Sequence, residues 1–467
     1  MRSVRPAAAL LVAAAVVLGA CASDGVPDSQ DPHPLVVDLD MDSSDVMALA
    51  YAANLPGYDL LAVTVPRTGV VRCPQGAVNA RLLLAELGKG NVPVGCGEEA
   101  AMAGGHDFPD AWRNPADALY GIGMGERGAV DASGAPANAV ALLRDTLRES
   151  EERVDLLTLG PLTNVAWALQ MEPDLVDRIG RVVMMVGAMD ASGNVVAQPA
   201  AGSPEWNAWA DPGALAAVID SGVEVVMVPL DATDDVPVDG RFFGQIATSR
   251  ATAAADVTYE LLARNAFLLN AQQYFWDPLA AAFLENPLVL ELDERRVRVG
   301  VNGAELGRTL ASGDGQTVRV ATGGSSDEFL ATFLAGLRRG SERADPFAPG
   351  GPLSVSYDGD QCSVGGSALR SGPLRVAFTN LSESAAAMAI VTLHDGATWQ
   401  ELETFINEYT PGTPNPDFVD ILAPQFAAPG SEAIIDIGPG TSGVACYDHV
   451  DGVPQRVVLG QPFEVLP

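Results

Sequence analysis

The chain has 467 residues, with 27 Lys or Arg against 60 Asp or Glu and a formal charge of −33. Apolar residues make up 48%, too many for intrinsic disorder, and the length suits two or three domains with their own cores. A surface this acidic repels phosphate backbones, which argues against nucleic acid and for a neutral or cationic small molecule, although the charge also serves solubility.

Residues 1–20 read as a secretory leader. Arg2 and Arg5 precede an apolar run from Pro6 to Ala20, shorter than the ~20 residues of a membrane-spanning helix. LGAC (18–21) resembles a bacterial lipobox, which would make Cys21 the acylated first residue of the mature protein. Ordinary secretory cleavage with a free Cys21 is the alternative. Residues 21–34 then form a lipidated tether, and the chain is expected outside the cytoplasm, on the membrane through its N-terminal lipid only. In an oxidising compartment the other four cysteines allow three connectivities. Their grouping along the chain favours Cys73–Cys96 and Cys362–Cys446. Zinc is the alternative, but no CxxC pair and no nearby His support it.

From 35 to 345 the pattern alternates strand and helix. LVVDLD (35–40) is a short apolar strand, after which Ser43 or Ser44 is expected to cap a helix running to Asn54. YDLLAVTV (58–65), VDLLTLG (154–160), RVVMMVG (181–187) and VEVVMVPL (223–230) read as further strands. Between them, 76–88, 138–150 and 211–222 have helical patterning. Repeated βα units predict an α/β domain, a mainly parallel sheet with helices on both faces and ligands beyond the carboxyl ends of its strands. A helical segment (326–340) leads to a breaker cluster, with 346–352 as linker. From 353 to 467, short strand-like runs separated by turns predict a small antiparallel β-sandwich domain. It carries no recognisable chemistry: His394 and His449 would suit copper only with a free Cys beside them.

The most informative segment is VVDLDMDSSDVMALA (36–50). Asp38, Asp40, Asp42 and Asp45 crowd the end of the first strand and the start of the helix. Acidic residues at a helix N-terminus can simply answer its dipole. Four carboxylates this close, two of them expected on the strand, repel one another unless a cation neutralises them, and hard oxygen ligands favour Ca²⁺ or Mg²⁺.

The segment resembles the DxDxxxDD signature of the inosine–uridine-preferring nucleoside hydrolases, and the resemblance continues in order over about 310 residues. Gly69, PQGAVNARLLLAELG (74–88), PVGCG (93–97) and FPDAWRNPADALYG (108–121) are similar to the family's intervening region. LGPLTNVAWAL (159–169), RVVMMVGAMDASGN (181–194) and SPEWNAWADPGALAAVIDSG (203–222) look like its GxLTN, MGG…GN and EFN…DPEAA elements. VPLDAT (228–233) and FWDPLAAA (275–282) resemble the GLDxT and HDPLA elements.

The resemblance implies a nucleoside hydrolase-like fold and one Ca²⁺ held by Asp40, Asp45, Asp277 and the Leu159 carbonyl. Asp40 would be the catalytic base that deprotonates water for attack on the anomeric carbon of a nucleoside. Asn194, Glu205 and Asn207 would hold the ribose hydroxyls with Met185 nearby, and Asp38 would support the site from behind. The chain also departs from the pattern. Ser44 replaces the first of two adjacent Asp, and Asp42 stands in place of a Gly and could supply the missing carboxylate. Val70 replaces an Asn, and Trp276 replaces a His that serves some members as general acid. Trp276 either fills the wall beneath the pocket or stacks on the base; Trp206 reads as packing, and His106 as a surface loop residue. Tyr120 could close over the ribose.

The expected activity is calcium-dependent hydrolysis of the N-glycosidic bond of ribonucleosides at the cell surface. A non-catalytic nucleoside-binding lipoprotein and a hydrolase of a different N-riboside are the alternatives. A homo-oligomer is left open.

Overall fold

His33–Asp38 (β1) is buried from Pro34 onward and sits in the middle of a ten-stranded sheet, which is why it reads as a nearly continuous apolar run. The computed structural model describes residues 32–122, 136–195, 202–247, 250–265, 267–270, 273–340, 353–365, 369–370, 372–382, 384–394, 396–411, 413–422, 432–450 and 453–466. The expected leader, Cys21 and the 346–352 linker lie outside these residues.

After β1 come α1 (Ser43–Ala52), β2 (Tyr58–Val65), α2 (Gln75–Glu86), β3 (Val94–Cys96), α3 (Asp110–Asp117), β4 (Ala137–Asn138) and α4 (Ala139–Glu149). The chain continues through β5 (Val154–Thr158), α5 (Thr163–Met171), β6 (Ile179–Met185), α6 (Trp206–Ala210), α7 (Pro212–Asp220) and β7 (Val225–Val228). Four helices follow: α8 (Leu230–Thr233), α9 (Gly240–Ala247), α10 (Ala253–Arg264) and α11 (Phe267–Asn270). The unit closes with α12 (Trp276–Glu285), β8 (Leu290–Val299), β9 (Thr309–Ala311), β10 (Gln316–Gly324) and α13 (Ser326–Leu337).

The sheet order is β4-β3-β2-β1-β5-β6-β7-β10-β8-β9, parallel from β4 to β10 and antiparallel from there to β9. The expected mainly parallel sheet is present, extended by an antiparallel β8–β9–β10 edge. One apolar layer packs residues of α1, α2, α10, α12 and α13 on one face, and another packs those of α4, α5 and α7 on the other. The order in which strands are added reverses beside β1: β2 continues the sheet to one side and β5 begins the other. Such a switch point opens a crevice beyond the carboxyl ends of the two strands, and the Asp40 and Leu159 loops flank it.

Two local expectations change at this point. The strand ends at Asp38, so Asp40 is in the following loop. Asp42, not Ser43 or Ser44, caps α1: its carboxylate accepts from Ser44 N and Asp45 N, and Asp45 returns the bond to Asp42 N. A carboxylate reaches the first free amides and favours the positive helix end. Every residue of α1 is buried, so it packs on all sides, against α10 and α12 among others.

The C-terminal unit holds β11 (Leu353–Tyr357), β12 (Cys362–Gly365), β13 (Leu369–Arg370), β14 (Gly372–Asn380) and β15 (Ala386–Leu393). It continues with α14 (Trp399–Asn407), β16 (Val419–Leu422), β17 (Glu432–Ile437), β18 (Gly440–Val450), β19 (Val453–Leu459) and β20 (Phe463–Leu466). Two sheets, β12-β11-β14-β17 and β13-β20-β18-β15-β16 with β19 on β18, share a core that includes Val355, Val376, Met388, Ile390 and Val444. The pairing is mostly antiparallel. β11–β14 and β13–β20 are parallel, because the chain visits the second sheet at β13 before β14 is laid beside β11. Cys73 and Cys96 form one disulfide and Cys362 and Cys446 another, with Cα separations of 5.8 and 5.6 Å.

The two units touch through a buried cation. Arg250 is held by Asp256 at 2.6 Å, lies 3.8 Å from the Tyr259 ring centroid and donates to Ser354 Oγ at 3.3 Å. Leu381 of the C-terminal unit joins the core of the first.

Candidate active site

Asp38 ends β1 with its carboxylate turned to structure. Thr64 Oγ1 and Asn164 Nδ2 donate to its Oδ1 at 2.5 and 2.8 Å, tying β1 to β2 and α5. Burial pushes its carboxyl up to about 7.

Asp40, two residues on, is gripped by backbone. A β-carbon on Gly69 would lie 2.2 Å from Asp40 Cβ, and one on Gly160 would lie 2.8 Å away. Both glycines are therefore required by close approach. Val70 N–H donates to Asp40 Oδ2 at 2.9 Å. Burial, with the charge of Asp42 adding to it, raises the Asp40 carboxyl to about 6. Met41 then adopts φ 58°, left-handed for a non-glycine residue, at the tight turn between Asp40 and the cap of α1.

Asp42, Asp45 and Asp277 each present a carboxylate oxygen within 4.8 Å of the others. Asp277 comes from the first turn of α12, so one carboxylate of the cluster is brought from far along the chain. Ser44 Oγ sits between two of these groups, 2.8 Å from Asp42 Oδ1 and in a short hydrogen bond with Asp277 Oδ2. A serine has one proton to donate, so it cannot satisfy both carboxylates at once. Asp45 Oδ1 and Asp277 Oδ1 are buried without a hydrogen-bond partner. Burial raises all three carboxyls; neighbouring carboxylates add to the rise at Asp45 and Asp277. Unpartnered buried oxygens in a crowd of anions fit a hard divalent cation. Of the expected ligands, Asp45 and Asp277 are in this cluster and Asp40 adjoins it. Asp42, expected on the sugar, is the third member.

The expected sugar side is continuous with Leu159. Its carbonyl accepts from Asn207 Nδ2 at 2.9 Å, and the same amide donates to the Met185 carbonyl at 3.1 Å. Glu205 caps α6 and accepts from Gly187 N, Asn207 N and Ala208 N at 2.9, 2.7 and 3.1 Å. Burial pushes it up to about 7. Asn194 is exposed, and its Oδ1 accepts from Trp206 N at 3.0 Å.

Beside Asp42 lies a cavity of about 180 Å³ whose walls include Val70, Trp112, Tyr120, Leu268, Gln273 and Trp276. Trp276 is therefore a wall of the pocket, and its buried Nε1 has no partner. Trp206 packs against Phe108 and Trp112 with ring centroids 5.1 and 5.0 Å apart. His106 stacks on Trp209 at 3.6 Å, and its Nδ1 lies 3.1 Å from the Trp209 carbonyl, so packing against α6 replaces the loose surface position expected for it. Trp112, Leu268 and Gln273 join the cavity wall only through the tertiary fold. Trp112 stands inside a motif that resembles the family, but Leu268 and Gln273 carry no local signal.

Residues 35–331 match the family described as inosine-uridine preferring nucleoside hydrolase. The pyrimidine-specific ribonucleoside hydrolase RihA of Klebsiella pneumoniae is 33% identical over 291 residues, 58% of this chain and 85% of that one. The inosine-uridine preferring nucleoside hydrolase of Bacillus anthracis superposes with a TM-score of 0.60 at 26% identity, covering 66% of this chain and 99% of its own. A purine-preferring ribonucleoside hydrolase from Gardnerella vaginalis gives 0.53 at 26% identity, covering 65% of this chain and 98% of its own. The acidic cluster at the switch point thus sits in a fold and a sequence frame that agree. The chain belongs to the inosine-uridine preferring nucleoside hydrolase family and is an N-glycosyl hydrolase.

Proposed function

We propose that the protein cleaves the N-glycosidic bond of ribonucleosides to free base and ribose with one calcium ion, on the outer face of the cell membrane. The observation that carries the reading is the Asp42–Asp45–Asp277 cluster with its two unpartnered oxygens, placed beside Asp40 and a cavity of nucleobase size. The leader-like sequence and LGAC (18–21) support the location.

Asp45 and Asp277 would hold the ion with Asp42 and Asp40 beside it; the all-oxygen donor set suits calcium better than zinc. Bound calcium supplies positive charge that keeps the carboxylates ionised and Lewis acidity toward water.

The remaining chemistry falls to the chain. Asp40, locked between Gly69 and Gly160, takes a proton from water as the water oxygen bonds to the anomeric carbon. The carbon–nitrogen bond breaks and the base leaves with the electron pair, then gains a proton from solvent. Positive charge develops on the sugar, where the surrounding carboxylates stabilise it. The Trp112 and Trp276 side chains supply an apolar, aromatic wall for the base. Glu205 and Asn207 hold the α6 start against Leu159 and Met185, which fixes the far side of the sugar site.

The test is release of base and ribose from purine and pyrimidine ribonucleosides by the mature protein with calcium. Wild type should turn over and Asp40→Asn should not; equal inertness of both refutes the proposal. Labelling of Cys21 with a fatty-acid precursor in the native host tests the anchor.

A further inference from the structure

Tyr120 is held in an unusual way. Leu119 and Tyr120 follow one another with φ of 47° and 51°, a region L-residues avoid unless their surroundings fix them. Here they do. Leu119 is buried in the core, and Asn265, which follows α10, donates its Nδ2 to the Tyr120 carbonyl at 2.9 Å. The strained backbone delivers the phenol to the cavity that Asp42, Val70 and Trp276 also line. Ser43, at the start of α1, lines the same cavity.

Tyr120 therefore shares a cavity wall with Asp42 and Ser43, on the side where the sugar of a nucleoside would lie. A phenol has one O–H to give. Asp42 Oδ1, a nearby acceptor, already takes Ser44 N, Ser44 Oγ and Asp45 N. Two other sugar-side positions have no proton to give: the single Ser44 proton goes to Asp42 or Asp277, and Val70 has no polar side chain. We infer that Tyr120 is a ribose-binding residue whose O–H donates to a sugar hydroxyl of the substrate. This rests on the nucleoside reading proposed above and adds to it a contact from the segment after α3.

Titration calorimetry with inosine, 2′-deoxyinosine and 3′-deoxyinosine in calcium decides the matter for wild type and Tyr120→Phe. The variant should bind inosine about tenfold more weakly, the scale of one lost hydrogen bond. It should bind one of the two deoxynucleosides as wild type does, because that ligand lacks the partner hydroxyl. Unchanged inosine affinity, or an equal loss with all three ligands, overturns the inference. If the Phe variant fails to fold, Asn265→Ala frees the Tyr120 carbonyl, and its loss should again spare that deoxynucleoside; a uniform loss refutes the contact. Binding without base release would refute the hydrolysis and leave this contact standing, whereas a wild type that binds none of the three removes both.

Discussion

Gly69 and Asp40 approach so closely that a β-carbon on the glycine would fall 2.2 Å from Asp40 Cβ. The position is therefore fixed by the carboxylate it confines, and Gly160 presses on the same side chain from its own loop. Gly69→Ala must move Asp40, and misplacing a reacting group by about 1 Å costs on the order of 100-fold in rate. We expect kcat to fall by about that factor with the circular dichroism spectrum retained. Full activity in Gly69→Ala would show that Asp40 is not the group that must be held still.

The carboxylates of Asp45 and Asp277 converge from two distant elements and each keeps a buried oxygen without a partner. Asp45→Asn and Asp277→Asn should each weaken calcium binding about 100-fold, and Ser44→Ala about tenfold, because Ser44 Oγ lies within hydrogen-bond reach of the Asp42 and Asp277 carboxylates and helps orient them. Calorimetric titration of the apoprotein with calcium gives the three values. An unchanged affinity in the Asp variants would place the ion elsewhere.

Stability without calcium should fall as pH rises. Asp38 and Glu205 have ordinary values of 3.8 and 4.5 and are both pushed to about 7 by burial. A carboxyl raised on folding binds its proton more tightly in the native state, so its stabilisation is complete below about pH 4 and lost by about pH 7. Calcium competes with protons for the neighbouring carboxylates, so its stabilising effect should grow over the same range. Thermal unfolding in chelator should give a lower Tm at pH 8 than at pH 5, with the larger calcium increment at pH 8. A chelated protein whose Tm is flat or rises over this interval contradicts the assignment.

Arg250 joins the two units from a buried position between Asp256, Tyr259 and Ser354. Removing one partner of a buried ion pair costs about 3–5 kcal/mol. Arg250→Ala should therefore lower the unfolding midpoint markedly, and calorimetry should show the C-terminal unit melting apart from the first. A single transition at the wild-type temperature would show that the junction contributes little.

The alternation of apolar runs and helical patterns in 35–345 was enough to give the parallel sheet and its two helical layers, because burial on both faces writes itself into local composition. The ordered motifs also gave the family, and the four Asp of 36–50 gave the presence of a charged site near the first strand. The α1 cap is Asp42 and not a serine, a difference helix periodicity cannot show because it does not say which polar residue turns its side chain back to the free amides. The antiparallel edge β8–β10 and the parallel pairs of the C-terminal sheets left no comparable mark, since pairing depends on distant partners.

What the sequence by itself determined is the inventory: which carboxylates, glycines and tryptophans exist and in what order. Only the tertiary structure decided which of them meet. It set Asp277 against Asp42 and Asp45 through Ser44, gave Gly69 and Gly160 a common neighbour in Asp40, and placed Tyr120 in one cavity wall with Asp42 and Ser43. The physical reason is separation along the chain: local pattern records how each segment buries itself, whereas the repulsion that calls for a cation arises only after folding brings remote anions together.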